Sequence, residues 1–195
     1  CINLHAGLPA YRGRHPVNWM LIDGVKEIPL SVHYVEEGID TGDVITHDTV
    51  LVERDDDYAG IMRKITEVEG GLLLSAIKQI EANTVYMRKQ HKPLLRYTRK
   101  RTPEDSRIDW GKGSYDLHNF VNALVDPMPN AFTFDGAGNK ICFKRAYRGK
   151  DIGEVLAETT DGKYVVSTKD GIVLVDANRK LTIGDKFVTN KINNN

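Results

Sequence analysis

The feature that most constrains this chain is a single long apolar period followed by a succession of short β-like runs. Ile61, Ile65, Val68, Leu72, Ile77 and Ile80 recur at helical spacing. They follow the acidic run Asp55-Asp56-Asp57, which suits a helix N-terminus as a cap and as a complement to its dipole. Ahead of that helix, Cys1 to His5 reads as a short strand entering a loop punctuated by Gly7, Pro9 and Gly13. The run from Val17 to Ile22 reads as a helix opened by Pro16 and closed by Gly24, and Leu30–Val35 and Val44–Val52 read as strands. Gly70-Gly71 is expected to loosen the long helix or to mark a close contact.

Past Asn83 the character changes. Arg88, Lys89, His91, Lys92, Arg96, Arg99, Lys100 and Arg101 follow with no acid among them, which reads as an extended basic linker. A helix over Tyr115–Leu124 comes next. It is followed by β-like runs at Ala131–Phe134, Lys140–Lys144, Gly153–Glu158, Tyr164–Ser167, Ile172–Asp176 and Lys180–Ile183. Asp135-Gly136, Asp161-Gly162 and Asp170-Gly171 supply turns between several of them. The fold class is therefore α/β in front and a small barrel or sandwich behind. The expected divisions are 1–83, a linker over 84–102, and 103–195.

Charge and cysteine content narrow the class. Lys plus Arg and Asp plus Glu number 27 each, so no global charge draws the chain to a polyanion. Cys1 and Cys142 offer neither a disulfide framework nor metal spacing, which fits a reduced, cytoplasmic setting. No apolar run approaches the roughly 18 residues of a membrane span.

The chemistry concentrates near the start. Asn3 and His5 are two apart on a strand and so share a face. They sit where the strand runs into a Gly/Pro loop, an edge at which α/β sheets bind ligands. Asp40 lies in a second loop between Gly38 and Gly42. An Asn amide can stabilise an oxyanion, a His can take a proton near neutral pH, and an Asp can orient the imidazole. Each of these residues also serves routinely as an ordinary hydrogen-bonding group.

The words around them are more specific. Asn3-Leu4-His5, the loop Gly7-Leu8-Pro9-Ala10-Tyr11-Arg12-Gly13, and Gly38-Ile39-Asp40-Thr41-Gly42-Asp43 resemble the folate-dependent formyltransferase family. Arg101 to Trp110, Leu117-His118-Asn119 and Pro129-Asn130-Ala131-Phe132 resemble the entry to the C-terminal domain of its methionyl-tRNA and sugar N-formyltransferase members. The resemblance implies the C-terminal half of a Rossmann-like catalytic domain followed by a small open, OB-like β-barrel. It implies that a strand-rich segment of the same domain, here absent, belongs ahead of Asn3 and that its loss would leave a sheet edge and an apolar face uncovered.

The resemblance also assigns roles. Asn3, His5 and Asp40 match the family's catalytic trio, and 10-formyltetrahydrofolate is the implied formyl donor, with no metal. Gly38, Ile39 and Asp43 are assigned to the folate. Tyr11, Arg12 and Arg14 are assigned to the acceptor, since guanidinium forks suit phosphate, though Arg12 could equally brace its loop through carbonyls. Tyr11 and Trp19 read as packing, and His15 and His33 as structural hydrogen-bonders. Which group takes the amine proton is open. The wording of Gly7 to His15 with Asn18-Trp19, and of His33 to Gly38, looks closest to enzymes acting on a nucleotide-linked 4-amino-4,6-dideoxy sugar, so that acceptor is expected. Methionyl-tRNA is the alternative, with Arg88–Arg101 as its candidate patch. A formyltetrahydrofolate hydrolase or a non-catalytic binding module also stays open. A homodimer is expected by analogy.

Overall fold

The computed structural model describes residues 1–90, 96–134, 138–148, 157–158, 163–167, 172–177 and 180. They fall into two compact units, Cys1–Arg101 and Thr102–Asn195.

In the first unit the strands are β1 (Ile2–Ala6), β2 (Tyr11–Gly13), β3 (Glu27–Tyr34), β4 (Val44–Leu51) and β5 (Arg96–Thr98), with helices α1 (Pro16–Ile22) and α2 (Tyr58–Glu81). A three-stranded sheet runs in the order β1-β3-β4. Both of its pairings are antiparallel. The β3–β4 connection is a short loop, which suits antiparallel pairing, since parallel pairing needs a crossover of about a dozen residues or more. Among the described residues, parallel pairing of strands is confined to the short β2-β5 ladder.

Alternation on β3 puts Ile28, Leu30 and Val32 fully inside. The first half of α2 covers them with Ile61 and Ile65, and Leu72 and Ala76 continue the stripe. Asp57 caps that helix, its Oδ1 accepting from Gly60 N at 2.8 Å. Its second half behaves differently. Leu73, Leu74, Ile77 and Ile80 are 37–51% exposed, so the apolar period outruns the surface it covers here. Gly70 and Gly71 interrupt nothing, and a Cβ at either would meet no atom within 4 Å. β1 pairs with β3 on one side and forms an edge of the sheet.

The stretch read as a linker is bonded into this unit. Arg88 and Val44 exchange backbone hydrogen bonds of 3.0 and 2.9 Å. β5 lies along β2, with Arg12 opposite Tyr97.

The second unit opens on a single turn of 3-10 helix, Pro103–Ser106, then α3 (Ser114–Asn122). Its strands are β6 (Ala131–Phe134), β7 (Lys140–Arg148), β8 (Ala157–Glu158), β9 (Tyr164–Ser167) and β10 (Ile172–Ala177), in the order β6-β7-β10-β9-β8. The pairings are antiparallel throughout. Phe143, Ile141, Leu117 and Val121 form the core beneath α3, and Trp110 meets Phe143 edge-on at 5.8 Å. Among the described residues β6 and β8 do not pair with each other, so the strands make an open sheet and the expected barrel closure is not seen. The three Asp-Gly turns, residues 153–156 and residues 181–183 lie outside the described residues.

Candidate active site

Strand geometry alone brings the first part of the site together. Asn3 stands directly opposite His33 across the β1-β3 ladder, and His5 opposite Ser31. Cross-strand partners in a ladder have Cβ atoms about 5 Å apart, so Asn3 and His33 are in contact range by register. The Asn3 amide nitrogen lies 3.3 Å from His33 Nε2.

Asp40 arrives from the loop between β3 and β4. Its φ is 51°, in the left-handed region that L-residues seldom occupy. Two glycines permit the two loops to close on it. A Cβ on Gly42 would fall 1.8 Å from Tyr34 O, and one on Gly13, whose φ is +100°, would fall 2.4 Å from Thr98 O. With both in place, Gly13 N donates to Asp40 Oδ2 at 2.8 Å. The same oxygen lies 3.6 Å from His5 Nδ1, and Oδ1 lies 4.0 Å from His33 Nε2. The side chains of His5, Asp40 and His33 are 9%, 16% and 3% exposed.

His5 sits between two acceptors. Nδ1 faces the Asp40 carboxylate, and Nε2 lies 3.0 Å from the Tyr11 carbonyl. Burial pushes its pKa below 6.5, against the pull of Asp40 and of the Tyr11 carbonyl, while His33 pushes the same way as burial. The imidazole is therefore neutral in the resting protein at neutral pH, with acceptors on both sides ready to hold a second proton.

Outside this group lies a brace. Arg12 is 3% exposed and donates from Nε and Nη2 to Gln90 Oε1, at 3.2 and 2.8 Å, and from Nη1 to the Tyr97 hydroxyl at 3.3 Å. Gln90 in turn donates to the carbonyls of Asp40 and Gly42, at 3.1 and 2.7 Å. Three of the guanidinium's five N–H groups thus meet Gln90 and Tyr97, and through Gln90 the buried Arg12 braces the Asp40 loop. Tyr11 donates its hydroxyl to Asp23 Oδ2 at 2.8 Å, and burial with that bond pushes its pKa up to about 12. Its phenol is accordingly anchored and protonated. Arg14 is exposed, Gly38 is exposed, and Ile39 is 64% exposed at the outer rim of the Asp40 loop. Asp43 is half-buried, and its carbonyl accepts from Tyr34 N at 3.0 Å.

A second feature flanks the loop after β2. The guanidinium carbons of Arg96, Arg101 and Arg99 lie 4.8, 5.0 and 5.7 Å from the centre of the Trp19 ring. Trp19 Nε1 donates to Arg99 O at 3.3 Å, and Arg96 pairs with Asp23. Burial, and then the charges of Arg101, Arg14 and Lys100, hold the His15 pKa below its usual value. A chain without net charge thus carries a locally positive face.

His33 and Gln90 were the members of the site that sequence pattern assigned elsewhere or passed over. His33 shares a strand face with Ser31, and its relation to Asn3 follows only from register. Gln90 lies in a stretch whose composition reads as linker. Among the described residues no group of three His, Cys, Asp or Glu side chains is placed to hold a metal ion, and no helix is long and apolar enough to cross a membrane.

Comparison with known proteins finds family matches in both units. Residues 1–77 match the family described as formyl transferase, and residues 100–186 match the formyl transferase C-terminal domain. A methionyl-tRNA formyltransferase of Fusobacterium nucleatum is 32% identical over 97% of this chain and 64% of its own length. The chain spans 64% of the length of the curated relatives it matches. HypX from Aquifex aeolicus in complex with tetrahydrofolic acid is 25% identical, with a TM-score of 0.68 over 89% of this chain and 31% of that one. An N-formyltransferase from Helicobacter canadensis, in complex with folinic acid and dTDP-3-aminofucose, gives a TM-score of 0.72 at 20% identity, over 89% of this chain and 64% of that one. At that identity the likeness is one of fold.

Proposed function

Since the chain belongs to the formyl transferase family, we propose that it moves a formyl group from 10-formyltetrahydrofolate to an amine, with Asn3, His5 and Asp40 as the reacting centre. The observation that carries this reading is the approach of Asp40 Oδ2 to 3.6 Å from His5 Nδ1, on the strand face that also holds Asn3. The amine nitrogen bonds to the formyl carbon, the bond from that carbon to the folate nitrogen breaks, and the proton released by the amine ends on the departing tetrahydrofolate. The Asn3 amide stabilises the oxyanion that forms between these events. His5, neutral at rest and flanked by two acceptors, takes the proton from the amine and delivers it to the leaving nitrogen. Asp40 holds the imidazole and offsets its charge while it is protonated. Gly38 and Ile39, exposed beside Asp40, and Asp43 below them offer a rim for the folate.

For the acceptor we favour methionyl-tRNA over the amino-sugar nucleotide expected from local wording. Two features support it. The relative at 32% identity over nearly the whole chain is a methionyl-tRNA formyltransferase, whereas the likeness to the aminofucose enzyme is one of fold. The positive face of Arg14, Arg96, Arg99, Lys100 and Arg101 suits a phosphodiester backbone. The reading places the protein in the cytoplasm. The test offers the full-length polypeptide 10-formyltetrahydrofolate with methionyl-tRNA, with a dTDP-linked 4-amino sugar, or with neither. Formyl-methionyl-tRNA, with a KM that rises steeply with salt, supports the reading. A formylated sugar moves the acceptor to the amino-sugar alternative. Formate from the folate alone makes the protein a hydrolase, and no product in any arm makes it a binding module.

A further inference from the structure

We propose that His33 is a positioning residue that fixes the orientation of the Asn3 amide. The proposal rests on the formyl-transfer reading of the site and deepens it.

The argument begins with the ring's two nitrogens. His33 Nδ1 lies 2.7 Å from the Tyr34 carbonyl. A carbonyl only accepts, so Nδ1 carries the proton. In the neutral ring Nε2 is then a bare acceptor, and the group 3.3 Å from it on Asn3 is the NH2 and not the oxygen. One N–H of Asn3 is committed to His33. The other, together with the oxygen, is left to the open side of the strand. Asn3 itself is exposed, and nothing else recorded for its side chain decides between the two amide orientations. A flipped amide would present its oxygen to a developing oxyanion, so the choice matters to the chemistry.

Register makes the arrangement durable. Asn3 and His33 are direct cross-strand partners at the second rung of a five-residue ladder. His33 is 2% exposed. Besides the Tyr34 carbonyl, three polar groups face it: the Asn3 amide, Asp40 Oδ1 at 4.0 Å, and the edge of the His5 ring, whose centre lies 6.5 Å away. With Nε2 bare, His33 offers Asp40 no donor, which leaves the carboxylate to His5. A proton on Nε2 would reverse both relations at once: it would evict the Asn3 N–H and draw Asp40 from His5.

Two substitutions separate this role from simple packing. The amide of Asn overlays Nδ1, so His33→Asn keeps the donor to Tyr34 and loses the acceptor for Asn3. The terminal oxygen of Gln reaches the place of Nε2, so His33→Gln does the opposite. In the full-length enzyme we expect His33→Asn to lower kcat about 100-fold, the scale of a lost oxyanion donor, with KM for both substrates unchanged. His33→Gln should restore most of the rate, and Asn3→Ala should cost nothing further in the His33→Asn background. Equal losses in the two His33 variants, or a double mutant as slow as the product of its singles, would overturn the proposal. A second readout stands apart from turnover. Imidazole nitrogen NMR should place the His33 proton on Nδ1, with an Nε2 signal that moves in Asn3→Ala. A proton on Nε2 overturns the proposal. If the wild type transfers no formyl group while the NMR result holds, the functional reading has failed and the placement of Asn3 has not.

Discussion

Both units bury polar side chains, and the way each does so separates a structural fastening from a reacting centre. In the second unit Asn122 is 3% exposed, accepts from Ala146 N and donates to Ala146 O, both at 2.9 Å, and so holds α3 to β7 like an extra rung of the ladder. Donor and acceptor are matched one to one. In the first unit His5 lies between two acceptors and can satisfy both only by gaining a proton that burial resists. Asp40 is held there in a left-handed conformation by neighbours on three sides. Full matching gives rigidity, since a buried pair is costly to break. Partial matching leaves a group whose state changes when a ligand supplies or removes a proton.

That contrast can be broken from either side. Its largest expected consequence is on rate: His5→Ala should lower kcat/KM about 1,000-fold, as loss of a general acid-base group does, with little change in the melting temperature. Activity retained within tenfold would take His5 out of the centre. Asn122→Ala should do the reverse. Losing both bonds to Ala146 should cost about 3 kcal/mol in urea titration, while turnover of the folded fraction is unchanged. A loss below about 1 kcal/mol would mean that the match is dispensable.

A smaller effect concerns pH. In Asp40→Asn the carboxylate that pulls the His5 pKa upward is gone, so the acid limb of the residual kcat/KM profile should move to lower pH. The sign for stability follows from the same shift. The native pKa of His5 lies below the 6.5 of the unfolded chain, so the unfolded chain gains the proton first. The stability from keeping His5 neutral is present above that value and is lost as pH falls through it. Urea titrations from pH 7.5 to 5 should therefore show a steeper decline for wild type than for His5→Gln. The smallest effect belongs to the surface pair of Lys64 with Asp56, 2.6 Å apart beside the start of α2. Lys64 is a third exposed, so Lys64→Met should cost about 0.5 kcal/mol. A cost above 2 kcal/mol would make that pair a fastening of the Asn122 kind.

What could be read in the sequence was local. Period-two alternation put Asn3 and His5 on one face, the acidic run before Tyr58 announced its cap, and helical spacing found α2. What stayed hidden was nonlocal. His33 reads as an ordinary strand histidine until the register sets Asn3 against it. Arg12 reads equally as a phosphate ligand or a loop brace, and nothing near it in sequence announces Gln90, far along the chain, as its partner. The antiparallel course of β1, β3 and β4 was equally out of reach: an apolar run shows that a strand exists and not which neighbour it will choose. The stripe on α2 runs on to Ile77 and Ile80, which are exposed, because periodicity reports what a face could cover and not what covers it.

The reach of Gln90 bears on how this polypeptide can be taken apart. Its side chain spans Arg12, Asp40 and Gly42, and β5 just beyond it is zipped to β2. The chain that leads to the second unit is therefore a working part of the first. A chimera that exchanges the C-terminal unit for another should be spliced after Arg101. One spliced at the end of α2, where helix and composition suggest a seam, would import a foreign residue into the support of Asp40 and should lose turnover while both halves still fold.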